Sequence, residues 1–149
     1  NKLTGEWGQN PIPGPMDEYE KSVKRHCGRV GAIEVFLSGP GLENYYEYKT
    51  KSKIPSREIV SLYQKKDSVA GEVMNVYFER IARSFSSFVN ILDPDIIVCG
   101  GGMSEIGGIY DEVPKRIIPY IASNFFLTPI VKAAHGSSSG VRGAAHLWN

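Results

Sequence analysis

At 149 residues, with 42% hydrophobic and 22% charged residues, the chain can bury one sizeable core and has the composition of an ordinary globular domain. Its formal net charge of +1 gives no long-range field, which argues against nucleic acid or an anionic membrane surface as a partner. The strongest apolar run, Ile96 to Cys99, is far too short to span a bilayer, and residues 1–20 show no signal-peptide pattern. Two cysteines, Cys27 and Cys99, make no disulfide framework, so a reducing cytoplasm is the expected location.

Residues 1–30 read as irregular, because Pro11, Pro13 and Pro15 with Gly8 and Gly14 favour extended or turn backbone. From Gly31 the pattern turns helical, with Ile33, Phe36 and Leu37 on one face until Gly39-Pro40-Gly41 breaks it. Leu42, Tyr45 and Tyr46 predict a second short helix ending in the lysine-rich loop 49–53. Ser56 is a candidate cap for a third, with Ile59, Val60 and Tyr63 inward.

The clearest helix is predicted from about Asp67 to Leu92. Val73, Tyr77, Ile81, Phe85, Phe88 and Leu92 form its apolar stripe, with Glu72, Glu79, Arg80 and Arg83 largely off it. Asp93-Pro94-Asp95 ends it, and Ile96 to Cys99 then reads as a short buried strand. A helix is expected over Asp111–Ala122, with Pro114 in its first turn and Pro119 as a kink. A strand over Ile130–Ala134 and a terminal helix over Gly140–Trp148 complete an α/β reading with part of a parallel sheet.

Four segments carry possible chemistry. Gly100-Gly101-Gly102-Met103 follows a strand directly, where glycines let a ligand approach the backbone or simply make a tight turn. Neither GxGxxG nor GxxxxGK[ST] occurs, so a Rossmann site and a P-loop are not supported. Gly5-Glu6-Trp7-Gly8-Gln9-Asn10 sets a carboxylate and an amide among glycines, and Glu34 could add a second carboxylate for a polyol. By spacing alone these read better as surface polar residues in a loop. Arg25-His26-Cys27-Gly28 offers one thiol beside one histidine, which cannot close a four-ligand zinc site. Ser137 to Ala145 looks like a capped helix start with small residues for close packing.

The order of these segments resembles the ROK family of sugar kinases and regulators. Gly5-Glu6-x-Gly8 is similar to its Gly-Glu-x-Gly-His element, and Asn10-Pro11-Ile12-Pro13 looks like the fructokinase branch. Gly28-Arg29-Val30-Gly31-Ala32-Ile33-Glu34 with Leu37-Ser38-Gly39 resembles the Cys-x-Cys-Gly-x-x-Gly-Cys-x-Glu signature and its continuation. Leu92 to Ser104 and Ser139 to Ala145 match the family's strand-and-glycine segment and C-terminal helix.

The resemblance implies the C-terminal lobe of an actin-like, RNase H-like ATPase fold, a single lobe over residues 1–149, with residues 1–30 facing the sugar. It implies a hexose kinase, fructokinase-like, that uses ATP and Mg²⁺ and forms a homodimer, with the N-terminal lobe and its catalytic aspartate not in this sequence. Glu6, Gln9 and Glu34 would face the sugar, and Gly100, Gly101, Gly102 and Met103 the adenosine. No catalytic residue is assigned, and Asp17 and Asp67 sit in no matching motif. The family's structural zinc is not expected, because Gln9, Arg25 and Ala32 stand where ligands would be, leaving only Cys27. Residues 9–32 would then be more mobile than in zinc-bearing relatives. The alternatives are a sugar-sensing transcriptional regulator, which would have a nucleic-acid partner, and a fragment with only a structural role.

Overall fold

In the computed structural model, residues 5–148 are described; of the segment expected to be irregular, residues 1–4 lie outside them. The core is built around one long helix. In chain order the helices are α1 (Glu18–Ser22), α2 (Ile33–Leu37), α3 (Gly39–Thr50), α4 (Ser56–Gln64), α5 (Ser68–Leu92), α6 (Gly108–Arg116) and α7 (Ser139–Ala145). The strands β1 (Ile97–Cys99) and β2 (Ile130–Lys132) pair in parallel, Ile97 opposite Ile130 and Cys99 opposite Lys132. Helices α2, α3, α4 and α6 pack on α5. No helix among the described residues is long and apolar enough to cross a membrane.

α5 forms where the sequence predicts it, because both ends are fixed locally. The Asp67 carboxylate accepts the Ala70 N–H at 2.8 Å, and Asp93 turns left-handed at the other end with φ 43°. Its buried face is broader than the predicted stripe. Val73, Met74, Tyr77, Phe78 and Ile81 are buried as apolar periodicity requires, but so are Arg80 and Arg83, which were expected off the stripe. Phe85 and Phe88 are only half-buried, and Leu92 is exposed.

The reason lies about 60 residues upstream. The segment before α2 contains α1, held by a reciprocal capping box in which Asp17 and Glu20 bond each other's backbone N–H. That box delivers Glu20, 1% exposed, to accept from Arg80 Nε at 2.9 Å and from Arg83 Nη1 at 3.1 Å. The Arg80 guanidinium also lies 4.2 Å from the Tyr45 ring centre, with Phe36 and Tyr19 at 5.1 and 5.2 Å. Arg83 further donates to the carbonyls of Pro13 and Pro15. These bonds tie the proline-rich segment to α5.

Other boundaries shift for equally local reasons. Gly39-Pro40-Gly41 separates two helices but also begins the second, since the Ser38 hydroxyl accepts the Gly41 N–H and Pro40 suits a first turn. Ser56 does not cap α4; its N–H is taken by the Glu43 carboxylate of α3 at 2.8 Å. α6 starts at Gly108, so Pro114 lies inside it rather than in its first turn. The helix ends two residues later, consistent with the lost N–H, and a 3-10 turn over Ile118–Tyr120 holds Pro119. The strands are shorter than predicted and half open: Ile97 and Ile130 are buried while Ile96 and Val98 are exposed, because each strand has one neighbour. A 3-10 turn over His146–Trp148 follows α7.

Candidate functional site

Two groups of residues fall at opposite ends of α2. At its N-terminal end, Trp7–Gln9 form a single 3-10 turn preceded by Glu6. The turn is anchored from both sides. Trp7 Nε1 donates to Ser87 Oγ at 2.9 Å, and the indole packs edge-on against Phe88 with centroids 5.2 Å apart. Behind it the Asn10 carbonyl accepts the Ile33 N–H at 2.9 Å, and Pro11 bridges to Ala32.

This pinning sets Gly8 directly against Glu34. A Cβ at Gly8 would lie 3.2 Å from Glu34 Cβ and 3.5 Å from Glu6 Oε1. Glu6 and Glu34, 28 positions apart in the chain, thus both approach Gly8, Glu34 through its Cβ and Glu6 through its carboxylate. Glu6 is exposed, while Gln9 on the same turn and Glu34 are half-buried. Carboxylates accept and an amide both accepts and donates, so each of the three can bond a hydroxyl, although Glu6 and Glu34 line separate hollows.

Residues 23–31 close a small hairpin beside the pair. Lys24 bridges Val30, Arg25 N–H donates to the Arg29 carbonyl at 2.8 Å, and Gly28 N–H donates back to the Arg25 carbonyl at 2.8 Å. The Arg25 guanidinium donates through Nε to Glu34 Oε1 and lies 3.8 Å through Nη1 from Cys27 Sγ. The bond to Glu34 holds Arg25 above its usual range. The Arg29 backbone N–H, then the Arg25 side chain, pull the exposed Cys27 thiol down, whereas burial pushes Cys99 up. The donor set does not fit the structural zinc of the family that the sequence resembles. The four positions present an amide, a guanidinium, one thiol and the buried methyl of Ala32. Among the described residues no group of three or more His, Cys, Asp or Glu is placed to hold a metal ion.

At the other end of α2, Tyr77 Oη donates to the Leu37 carbonyl at 2.9 Å and fixes the chain as it turns into Gly39. Gly39 faces Met103, whose Sδ lies 3.5 Å from the position of a Cβ on that glycine. β1 runs straight into Gly100, Gly101 and Gly102, all exposed. Gly101 has φ 82° and ψ 177°, a conformation essentially confined to glycine. Its carbonyl accepts Ser104 Oγ at 2.7 Å, and Tyr110 Oη holds the Ser104 carbonyl at 2.6 Å. A hollow of about 310 Å³ opens beside this turn, lined by Ser56, Arg57, Val60, Met103, Glu105 and Ile106. The bare, preset backbone thus borders a mainly apolar hollow that carries one basic and one acidic side chain.

The two acidic residues set aside in the sequence are both structural. Asp17 caps α1 and contacts Arg80, and Asp67 caps α5. Sequence reasoning missed the Arg25–Glu34 pair and Arg57 in the hollow. Arg25 drew notice only as a metal-motif neighbour, and nothing in the spacing marked Arg57.

Residues 1–149 match the model of the ROK family. The chain is 40% identical over 151 residues to the N-acetyl-D-glucosamine kinase of Vibrio atlanticus (strain LGP32), covering 99% of this chain and 50% of that protein. It is 38% identical to the N-acetyl-D-glucosamine kinase of Vibrio cholerae serotype O1, with the same coverage. It thus spans about half the length of the curated relatives it matches. Among solved structures, a ROK family glucokinase from Streptomyces griseus in complex with glucose and AMPPNP superposes with TM-score 0.82. Identity there is 19%, over 97% of this chain and 51% of that one. The ROK hexokinase from Thermus thermophilus gives 0.77 at 24% identity, over 95% of this chain and 46% of that one.

Proposed function

Since the chain belongs to the ROK family, whose solved sugar kinases share its α/β, actin-like fold, we propose that it is the sugar- and nucleotide-binding half of an ATP-dependent kinase for an N-acetylated amino sugar. The observation that carries the reading is the convergence of Glu6 and Glu34 on Gly8, one short helix away from the glycine turn at Gly101. The relatives named above are N-acetyl-D-glucosamine kinases, so N-acetyl-D-glucosamine replaces the fructose suggested by Asn10-Pro11-Ile12-Pro13 as the first substrate to test. Gln9 supports that choice chemically. Its NH₂ can donate to an acetyl carbonyl while its own carbonyl accepts from the amide N–H.

In this reading Glu6 and Glu34 accept hydrogen bonds from ring hydroxyls and fix the sugar's face. The Gly100–Gly102 backbone and Met103 lie against the adenosine, with Arg57 at the mouth of the hollow. ATP supplies the phosphoryl group, and Mg²⁺ neutralises its charge; no residue of this chain is assigned to hold the ion. Catalysis of this kind rests on positioning and electrostatics, with a base to accept the hydroxyl proton. We assign no base among the described residues. A cytoplasmic location and a homodimer belong to the same proposal.

The test is turnover of N-acetyl-D-glucosamine, glucose, mannose and fructose by the full-length polypeptide with MgATP. N-acetyl-D-glucosamine is expected to give the highest kcat/KM. Glu34→Gln should lower that value by about 10- to 100-fold, the worth of a charge-assisted hydrogen bond. Sugar binding without phosphorylation, together with sugar-dependent DNA binding, would replace the kinase reading by a regulator.

A further inference from the structure

We infer that Arg25 is a positioning residue that holds Glu34 in one orientation and thereby sets both sugar affinity and the choice between sugar epimers; the inference rests on the sugar-site reading above. The guanidinium takes Glu34 Oε1 and leaves Oε2 as the oxygen available to a ligand. Arg25 is itself well placed to do this. Its side chain is 15% exposed against 39% for Glu34, so the cation comes from the protein side and the carboxylate faces outward. Backbone bonds place it: the Arg25 N–H and carbonyl both serve the 25–29 turn, and Lys24 bridges Val30. These contacts survive loss of the side chain.

A glutamate in open solvent must be ordered when a sugar binds, and that cost falls on affinity. With Oε1 fixed, the ordering is complete beforehand, and only a hydroxyl approaching from the Oε2 side is accepted. Released from Arg25, the carboxylate can turn either oxygen toward a ligand, so it should accept hydroxyls of more than one configuration. Because Glu34 holds the sugar ring and not the reacting phosphoryl group, ground state and transition state lose the contact equally.

The experiment uses the full-length protein and Arg25→Ala, Arg25→Lys and, as a neighbour control, His26→Ala. Arg25→Ala is expected to raise KM for N-acetyl-D-glucosamine about tenfold with kcat changed less than about threefold. Its preference for N-acetyl-D-glucosamine over N-acetyl-D-mannosamine and N-acetyl-D-galactosamine should narrow. Arg25→Lys, which keeps the cation, should recover part of the KM effect, and His26→Ala should match the parent. Thermal unfolding is measured for each, and if Arg25→Ala does not fold, the comparison of Arg25→Lys with the parent decides. Unchanged KM and unchanged epimer preference in a folded variant overturn the positioning role while leaving the kinase reading intact. A parent protein that neither binds nor phosphorylates any of these sugars removes the sugar-site reading and this inference with it.

Discussion

Glu20 is the residue on which the N-terminal segment turns. Its two oxygens face Arg80 and Arg83 in a space that excludes water, with three aromatic rings around Arg80. Such a pair contributes little net stability when complete, but removing one partner strands charge in a low-dielectric interior. Glu20→Ala leaves Arg83 without a carboxylate and Arg80 with only the half-exposed Asp17 at 3.3 Å, and should cost about 3–5 kcal/mol. A drop of that size in the urea-unfolding free energy, with an unchanged slope, is the expected result. Glu18→Ala, two residues away and exposed, should lie within about 0.5 kcal/mol of the parent.

Among the elements, the turn after β1 is the most constrained. Nothing lies within 4 Å of a Cβ on Gly101, so a side chain there meets no obstacle and the penalty is purely one of backbone conformation. Gly101→Ala should therefore strain the turn by about 1–3 kcal/mol. Titration calorimetry on the full-length protein should show weaker nucleotide binding with sugar binding unchanged. The same elements show what a sequence makes legible. α5 announces itself because its caps, period and end are all local to residues 67–93. The strand-glycine turn is equally readable from β-branched residues followed by glycines. The burial of Arg80 and Arg83 is not, because their partner sits at sequence separations of 60 and 63 and periodicity treats arginine as a surface residue. Likewise Glu6 and Glu34 could be nominated from the sequence, but their meeting at Gly8 depends on Trp7 finding Ser87, a pairing no local pattern encodes.

At the scale of the whole molecule, apolar surface gathers at the C-terminal end of α5. Ile91, Leu92, Phe125 and Leu127 are 79%, 70%, 63% and 80% exposed. Two hollows flank them, one of about 740 Å³ beside Trp7 and Phe88 and one of about 600 Å³ beside Val89 and Phe126. Apolar surface clustered in this way drives association. Residues 1–149 expressed alone should sediment as a dimer or larger species, and Ile91→Glu combined with Leu127→Glu should shift the population toward monomer. A clean monomer of the unaltered chain at high concentration would count against the homodimer.

The latch between Glu20 and Arg83 also orders events in time. A ribosome adding about 5–20 residues per second needs about 3 to 13 seconds to pass from the first partner to the second, which lie 63 positions apart. Through that interval the nascent segment bearing Glu6, Gln9 and Glu34 has no spine to dock on. The segment carrying these three residues is thus translated before the helix it packs on and assembled late, once the middle of α5 has left the exit tunnel.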